Sequence, residues 1–135
     1  MSMNRFMAQC FAALLVFLLL TDVSFARDYR ARKKTQNYSV EMTIDRNPPI
    51  VASNRLSLEI RDNSGRQLTD AKVLVNYYMP PMPGMPPMNY KTYAQPSGNE
   101  YVVIMDLIMA GPWNIVVRIT REGKTDTARF AIDAR

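Results

Sequence analysis

Residues 113–132 read WNIVVRITREGKTDTARFAI, and this stretch decides the fold. Apolar side chains occupy every second position over 113–119 and again over 128–132. Such alternation is typical of a β-strand that buries one face. The segment Arg121-Glu122-Gly123-Lys124 separates the two runs, and glycine in the second place of a tight two-residue turn suits an antiparallel hairpin. The stretch therefore predicts two antiparallel strands whose apolar sides face one core.

The same period-two alternation recurs earlier in the chain and predicts further strands at 38–44, 56–60, 73–77 and 101–105. A short strand is also predicted near Tyr90–Tyr93, and Gln95–Asn99 is predicted to be a turn. About seven short strands in roughly 100 residues predict an all-β fold, an immunoglobulin-like antiparallel β-sandwich, with a small barrel as the alternative. The predicted core includes Leu56, Leu58, Val73, Val75, Trp113, Ile115, Val117, Phe130 and Ile132.

The first 26 residues have the pattern of a secretory signal peptide. Arg5 provides a positive charge, Phe11–Leu20 is an unbroken apolar run, and Ser24 and Ala26 are the small residues of a cleavage site. The apolar run has ten residues, whereas a membrane-spanning helix needs about 20. We therefore expect a cleaved signal peptide at 1–26 and a periplasmic or secreted protein.

The chain has a formal net charge of +5, and its densest basic block lies just after the predicted cleavage site. This block contains Arg27, Arg30, Arg32, Lys33 and Lys34. Blocks of like charge are usually solvated, so residues 27–36 are predicted to be a flexible leader to a β-sandwich domain at 37–135. The alternative for the block is weak electrostatic contact with an anionic membrane. An exported protein is not expected to bind nucleic acid.

The composition excludes most catalytic and metal chemistry. The chain has no histidine, and its one cysteine, Cys10, precedes the apolar run of the predicted signal peptide. Asp106 is the only acidic residue in a markedly apolar stretch, and it lacks the second group that acid–base catalysis requires. We interpret Asp106 as a strand-end residue bonded by backbone donors, and we do not expect an enzyme.

One segment carries possible binding chemistry. Residues 79–88 read MPPMPGMPPM, with methionine at Met79, Met82, Met85 and Met88. Proline cannot join a central sheet, so the segment is predicted to be a surface loop. The thioether of methionine is a soft, neutral ligand that suits Cu(I), and by the same chemistry Ag(I), but not Zn²⁺, Mg²⁺ or Ca²⁺.

The spacing of the four methionines sets a geometric condition on such a site. A straight polyproline II segment would place them on one face about 9 Å apart, because three residues rise ~3.1 Å each. One ion cannot bridge that distance. Gly84, at the centre of the segment, is the residue that would let the chain double back and bring Met82 near Met85, or Met79 near Met88.

Two other interpretations of the loop remain open. Methionine adapts to irregular apolar surfaces, so the loop can also dock a cell-envelope protein or cap the end of the sandwich. The functional prediction is an exported accessory domain that handles copper or another heavy metal, with Cu(I) as its possible ligand. The alternative is a non-metal interaction or scaffold module of a cell-envelope complex.

Five segments of the predicted domain are notable in combination: residues 47–51 (NPPIV), 54–58 (NRLSL), 68–73 (LTDAKV), the methionine segment and 109–113 (MAGPW). Together they resemble the YtkA-like family, which also includes the FixH-like proteins. The resemblance implies an extracytoplasmic immunoglobulin-like sandwich associated with copper handling, heavy-metal efflux or the assembly of copper-containing oxidases. FixH-like members keep a longer membrane anchor, whereas the leader of this chain is predicted to be cleaved.

Overall fold

The architecture is all-β in a computed structural model that describes residues 28–135. The predicted signal peptide and its cleavage site lie outside the described residues. None of the described residues forms a helix long and apolar enough to cross a membrane. The strands are β1 (Tyr29–Lys34), β2 (Tyr38–Ile44), β3 (Ser53–Asp62), β4 (Lys72–Tyr78), β5 (Asn89–Tyr93), β6 (Gln95–Ser97), β7 (Glu100–Asp106), β8 (Gly111–Arg121) and β9 (Lys124–Ala134).

The strands form two antiparallel sheets that face each other. One sheet has five strands in the order β1-β2-β3-β7-β6, and the other has four in the order β5-β4-β8-β9. Apart from β1, this order matches the ABED and C′CFG sheets of the immunoglobulin fold. The prediction of an antiparallel β-sandwich is confirmed, and the alternative of a small barrel is wrong because the two sheets remain separate.

The core lies between the two sheets and consists of the alternate side chains that each strand points inward. Strand β2 alternates strictly between buried and half-buried residues, and β9 alternates between exposed and buried ones along most of its length. Trp113 is fully buried, as are Ile115 and Val117 beside it on β8. Every residue of the predicted core is buried. The main energetic contribution to the fold is therefore apolar burial along period-two strands.

The hairpin between β8 and β9 is the longest in the described chain. Arg121 pairs with Lys124 at its end, so the connection has two residues. Glu122 and Gly123 both have positive φ, at 53° and 75°, as a type I′ turn requires. The turn predicted from the sequence at this position is confirmed.

The prediction of a flexible leader at 27–36 is wrong for the part that forms β1. This strand pairs with β2 over its whole length, from Tyr29 opposite Ile44 to Lys34 opposite Ser39. Tyr29 and Ala31 pack against the core, while Arg30 and Arg32 alternate with them on the outer side. The charged residues of β1 make its short period-two pattern hard to recognise in the sequence. Glu41 on β2 forms ion pairs with two of these cations, Arg30 and Arg32.

The predicted turn at Gln95–Asn99 is only partly correct. Residues Gln95–Ser97 form β6, which pairs with β7, and the chain turns after Ser97. All three residues of β6 are exposed and one is Pro96, so the strand has no buried alternation by which a sequence pattern would reveal it. The short strand predicted near Tyr90–Tyr93 is confirmed as β5.

The connections divide between the two ends of the sandwich. Loops 45–52, 79–88 and 107–110 lie at one end, which we call the methionine-loop end. A backbone hydrogen bond joins two of these loops, 45–52 and 107–110, from the Leu107 N–H to the Ala52 carbonyl at 3.1 Å. The connections at 35–37, 63–71, 98–99 and 122–123 lie at the other end, which we call the turn end.

Candidate metal site in the methionine loop

The methionine loop (residues 79–88) connects β4 to β5 and doubles back on itself. At its base the Met79 N–H donates to the Met88 carbonyl at 3.1 Å, and this bond extends the β4–β5 ladder. At its tip the Met85 N–H donates to the Met82 carbonyl at 3.2 Å. Gly84 lies in this turn with φ of 75°. The predicted bend at Gly84 is confirmed, and it brings together the two methionine pairs that the spacing indicated.

The four methionine side chains differ in depth. Met79 is 5% exposed and belongs to the hydrophobic core. Met82 and Met88 are half-buried and pack against that core, whereas Met85 at the tip is 40% exposed. The four thioethers therefore lie at different depths between the core and the solvent. The outermost, that of Met85, is accessible to an ion or a partner protein.

A cavity of about 240 Å³ lies inside the loop. It is lined by Tyr78, Met79, Pro80, Pro81, Met82, Met85, Pro86, Pro87, Met88 and Asn89. All four predicted ligands line this cavity, and none of the lining side chains carries a charge at neutral pH. The prolines restrict the backbone around it, since each fixes its own φ. The candidate metal ligands are therefore thioether sulfur atoms, and the cavity wall around them is predominantly apolar.

Gly111 makes room for Met79 at the base of the loop, a role that no pattern in the sequence indicated. The terminal methyl of Met79 lies 3.2 Å from the position that a Cβ of Gly111 would occupy. Gly111 also has φ of 121°, a conformation that L-residues avoid. Its missing side chain leaves the space that Met79 uses, so the base of the methionine loop packs against the start of β8 there.

Three aromatic rings form a cluster at the start of the same hairpin. Tyr77 on β4 pairs with Tyr90 on β5, and their ring centroids are 5.2 Å apart. Trp113 on β8 lies 6.1 Å from Tyr77 and 6.4 Å from Tyr90. The Trp113 indole N–H donates to the Met109 carbonyl at 3.0 Å. Burial raises the pKa of the Tyr77 hydroxyl, which therefore stays neutral. The cluster gives the loop a rigid base.

The remaining candidate, Asp106, lies at the end of β7 and is exposed. Its carboxylate accepts a hydrogen bond from the Ser53 hydroxyl on β3, so a side chain bonds it where a backbone donor was predicted. Over residues 28–135, no group of three or more His, Cys, Asp or Glu side chains is placed to hold a metal ion.

Comparisons with known proteins bear on the whole domain. No curated protein and no solved structure matches the chain significantly. The sequence model of the YtkA-like family matches residues 32–118, from β1 through most of β8, and this match includes the methionine loop. The chain belongs to the YtkA-like family.

Proposed function

We propose that this protein is an exported accessory domain that binds Cu(I) through the thioethers of the methionine loop. The observation that supports the proposal is the cavity that all four methionines line at the bend. Cu(I) prefers soft ligands, and thioethers carry no proton that must be released on binding. The proposed role is binding and delivery of the ion, without catalysis.

The depths of the side chains suggest how the ligands are used. Met82 and Met88 are half-buried, so they can supply sulfur without a large rearrangement. Met85 is exposed and completes the set from the solvent side. Met79 borders the cavity, but its methyl packs beside Gly111 in the core. We propose that two or three thioethers bind one ion at a time, with Met79 the most constrained of the four.

Replacement of Met79, Met82, Met85 and Met88 by leucine tests the proposal. The exchange keeps apolar bulk and removes sulfur, and each Met-to-Leu change usually costs less than about 1.5 kcal/mol. The variant should lose Cu(I) and Ag(I) binding, measured by competition with a chromogenic Cu(I) chelator, while its circular dichroism spectrum stays unchanged. Met109→Leu is the matched control, because Met109 is half-buried but lies outside the loop. Undiminished Cu(I) binding by the leucine variant would refute the proposal.

The alternative function is docking of a partner protein, and the exposure of Met85 beside an apolar cavity favours it as the second candidate. Methionine-rich surfaces adapt to varied apolar partners. The leucine variant separates the two functions, because an apolar docking surface tolerates leucine whereas a Cu(I) site does not. A partner in the cell envelope that binds both forms equally would identify the loop as a docking surface.

Export is the second part of the proposal, and it is supported by the sequence of residues 1–26. The mature protein should begin at or near Arg27, since Ser24 and Ala26 are the small residues that follow the apolar run. The intact mass of the protein recovered from the periplasm or medium tests this directly. Recovery of only a full-length, membrane-bound chain would contradict cleavage.

A further inference from the structure

The outer face of the four-stranded sheet carries one cation on each of its strands. Lys72 is on β4, Lys91 on β5, Arg118 on β8 and Arg129 on β9, and all four are exposed. Their neighbours along each strand point inward to the core, so the four cations lie at outward positions. We call this surface the basic face.

The cations of the basic face have no acidic partners in the described chain. None of the four forms an ion pair with any residue of 28–135; the Lys72 ammonium lies instead 4.8 Å from the ring centroid of Tyr93. Asp133, near the end of β9, is the one acidic residue at the outward positions of these four strands. The face therefore has an uncompensated positive charge.

The outer face of the five-stranded sheet differs in this respect. Arg30 and Arg32 on β1 both pair with Glu41 on β2, and Arg61 pairs with Glu59 on β3. The basic block that is most obvious in the sequence is thus partly compensated. The four cations of the basic face, none of which forms an ion pair within residues 28–135, lie on the opposite side of the sandwich, on residues that are far apart along the chain.

Apolar and aromatic side chains lie between the cations. In the sheet register Val116 stands between Asn76 and Arg129, and it is only 9% exposed although it points outward. Long cationic side chains commonly cover apolar neighbours with their aliphatic stems and keep their charged heads in water. Tyr78 is half-buried on the same face, and Tyr93 is 50% exposed.

We propose that the basic face binds the surface of an anionic phospholipid bilayer. Lipid phosphates attract the ammonium and guanidinium groups, and tyrosine is suited to the boundary between headgroups and acyl chains. The cations are spread over four strands, about 14 Å across at the usual strand spacing. A bilayer surface has many equivalent phosphates, so the four separated cations can each meet a phosphate wherever the protein lies on the surface. The methionine loop is not needed for this contact, so the inference is independent of copper binding.

Sedimentation with vesicles tests the inference. The purified protein should sediment with vesicles of phosphatidylglycerol and phosphatidylcholine, and not with phosphatidylcholine alone. Binding should weaken steeply as salt is raised from about 0.05 M to 0.5 M, because salt screens exposed charges. Each cation replaced by glutamine should lower the partition coefficient about five-fold. The full variant is Lys72→Gln, Lys91→Gln, Arg118→Gln and Arg129→Gln.

A control variant with the same net charge as the full variant tests whether vesicle binding depends on the basic face itself. Lys33→Gln, Arg46→Gln, Arg55→Gln and Arg66→Gln remove four exposed cations outside the four-stranded sheet. This control should keep most of the vesicle binding. Equal losses in both variants would overturn the inference, since net charge alone would then be responsible. Absence of binding to anionic vesicles would also overturn it, and retention of the protein on immobilised polyglutamate would then assign the face to an acidic protein.

Discussion

The β4–β5 hairpin and the β8–β9 hairpin use the same backbone device for different purposes. Each turns at a glycine with φ of 75°, Gly84 in one and Gly123 in the other, and a Cβ at either position would meet no atom within 4 Å. The β8–β9 turn has two residues and joins two paired strands, whereas the β4–β5 loop has ten and encloses a cavity. In both hairpins the glycine therefore provides only the turn. The length and composition of the loop decide whether the turn forms a site.

Trp113→Ala should have the largest effect, because this residue connects the two hairpins. Its ring is fully buried on β8 and lies close to Tyr77 and Tyr90 at the base of the β4–β5 hairpin. Truncation of a large buried aromatic side chain usually costs about 3–5 kcal/mol. We expect a loss of that size in the free energy of unfolding, measured by urea titration, and a smaller loss for Trp113→Phe. A negligible loss would show that the hairpins do not depend on each other.

Gly123→Val and Gly84→Val should affect the two hairpins differently. Valine in a left-handed conformation costs about 1–2 kcal/mol, and the paired strands beside Gly123 leave the chain no way to avoid that cost. Gly84 lies in a loop whose flanking residues are outside the strand ladder, so Gly84→Val should change the free energy of unfolding less but weaken Cu(I) binding. Urea titration and chelator competition on both variants measure the two effects. If Gly84→Val left Cu(I) affinity unchanged, the bend would not be required for the proposed site.

Glu122→Asn should have a smaller effect, in the stabilising direction. Glu122 has φ of 53°, and asparagine tolerates this region better than glutamate, particularly before glycine in a type I′ turn. The ion pair that Glu122 forms with Arg121 is exposed and contributes little. We expect a gain of the order of 0.5 kcal/mol in the free energy of unfolding. A loss of stability would show that the ion pair outweighs the backbone preference.

The sequence predicted most of the fold because buried β-strands leave a period-two pattern. That pattern identified the strands from β2 to β4 and from β7 to β9, and it placed Trp113 in the core. It did not identify β1, where charges dominate, or β6, which has three exposed residues. Both strands form because a neighbouring strand offers hydrogen bonds, and such pairing depends on the tertiary structure.

The candidate site was predictable only in its local part. The positions of the methionines and the bend at Gly84 follow from residues within one segment. The packing of Met79 beside Gly111 joins the methionine loop to the start of β8, which is distant in sequence, so local spacing could not indicate it. The basic face is a similar case, because its four cations are scattered singly along the chain. Their common side becomes visible only when the strand pairing is known.

The smallest expected effect is a pH dependence at the turn end, centred on Asp126. Asp126 on β9 accepts hydrogen bonds from the Thr35 hydroxyl at 2.7 Å and from the backbone and side-chain N–H groups of Asn37 at 2.8 and 2.9 Å. Burial by itself would raise the pKa of Asp126, but these bonds outweigh burial and hold the pKa below its ordinary value. Asp126 thus ties the β1–β2 turn to β9.

Because the folded-state pKa of Asp126 is lowered, its stabilisation is complete above the unfolded-state pKa and is lost as the pH falls through the folded-state value. We expect Asp126→Asn to be less stable than the natural protein at neutral pH, and the difference in the free energy of unfolding to shrink as the solution is acidified. Urea titrations at a series of pH values measure this difference. The thioethers of the methionine loop carry no titrating proton, so the pH should act on the turn end of the molecule and spare the ligand set at the other. A difference between the two proteins that stays constant from neutral to acidic pH would show that the Asp126 carboxylate does not support the turn through its charge.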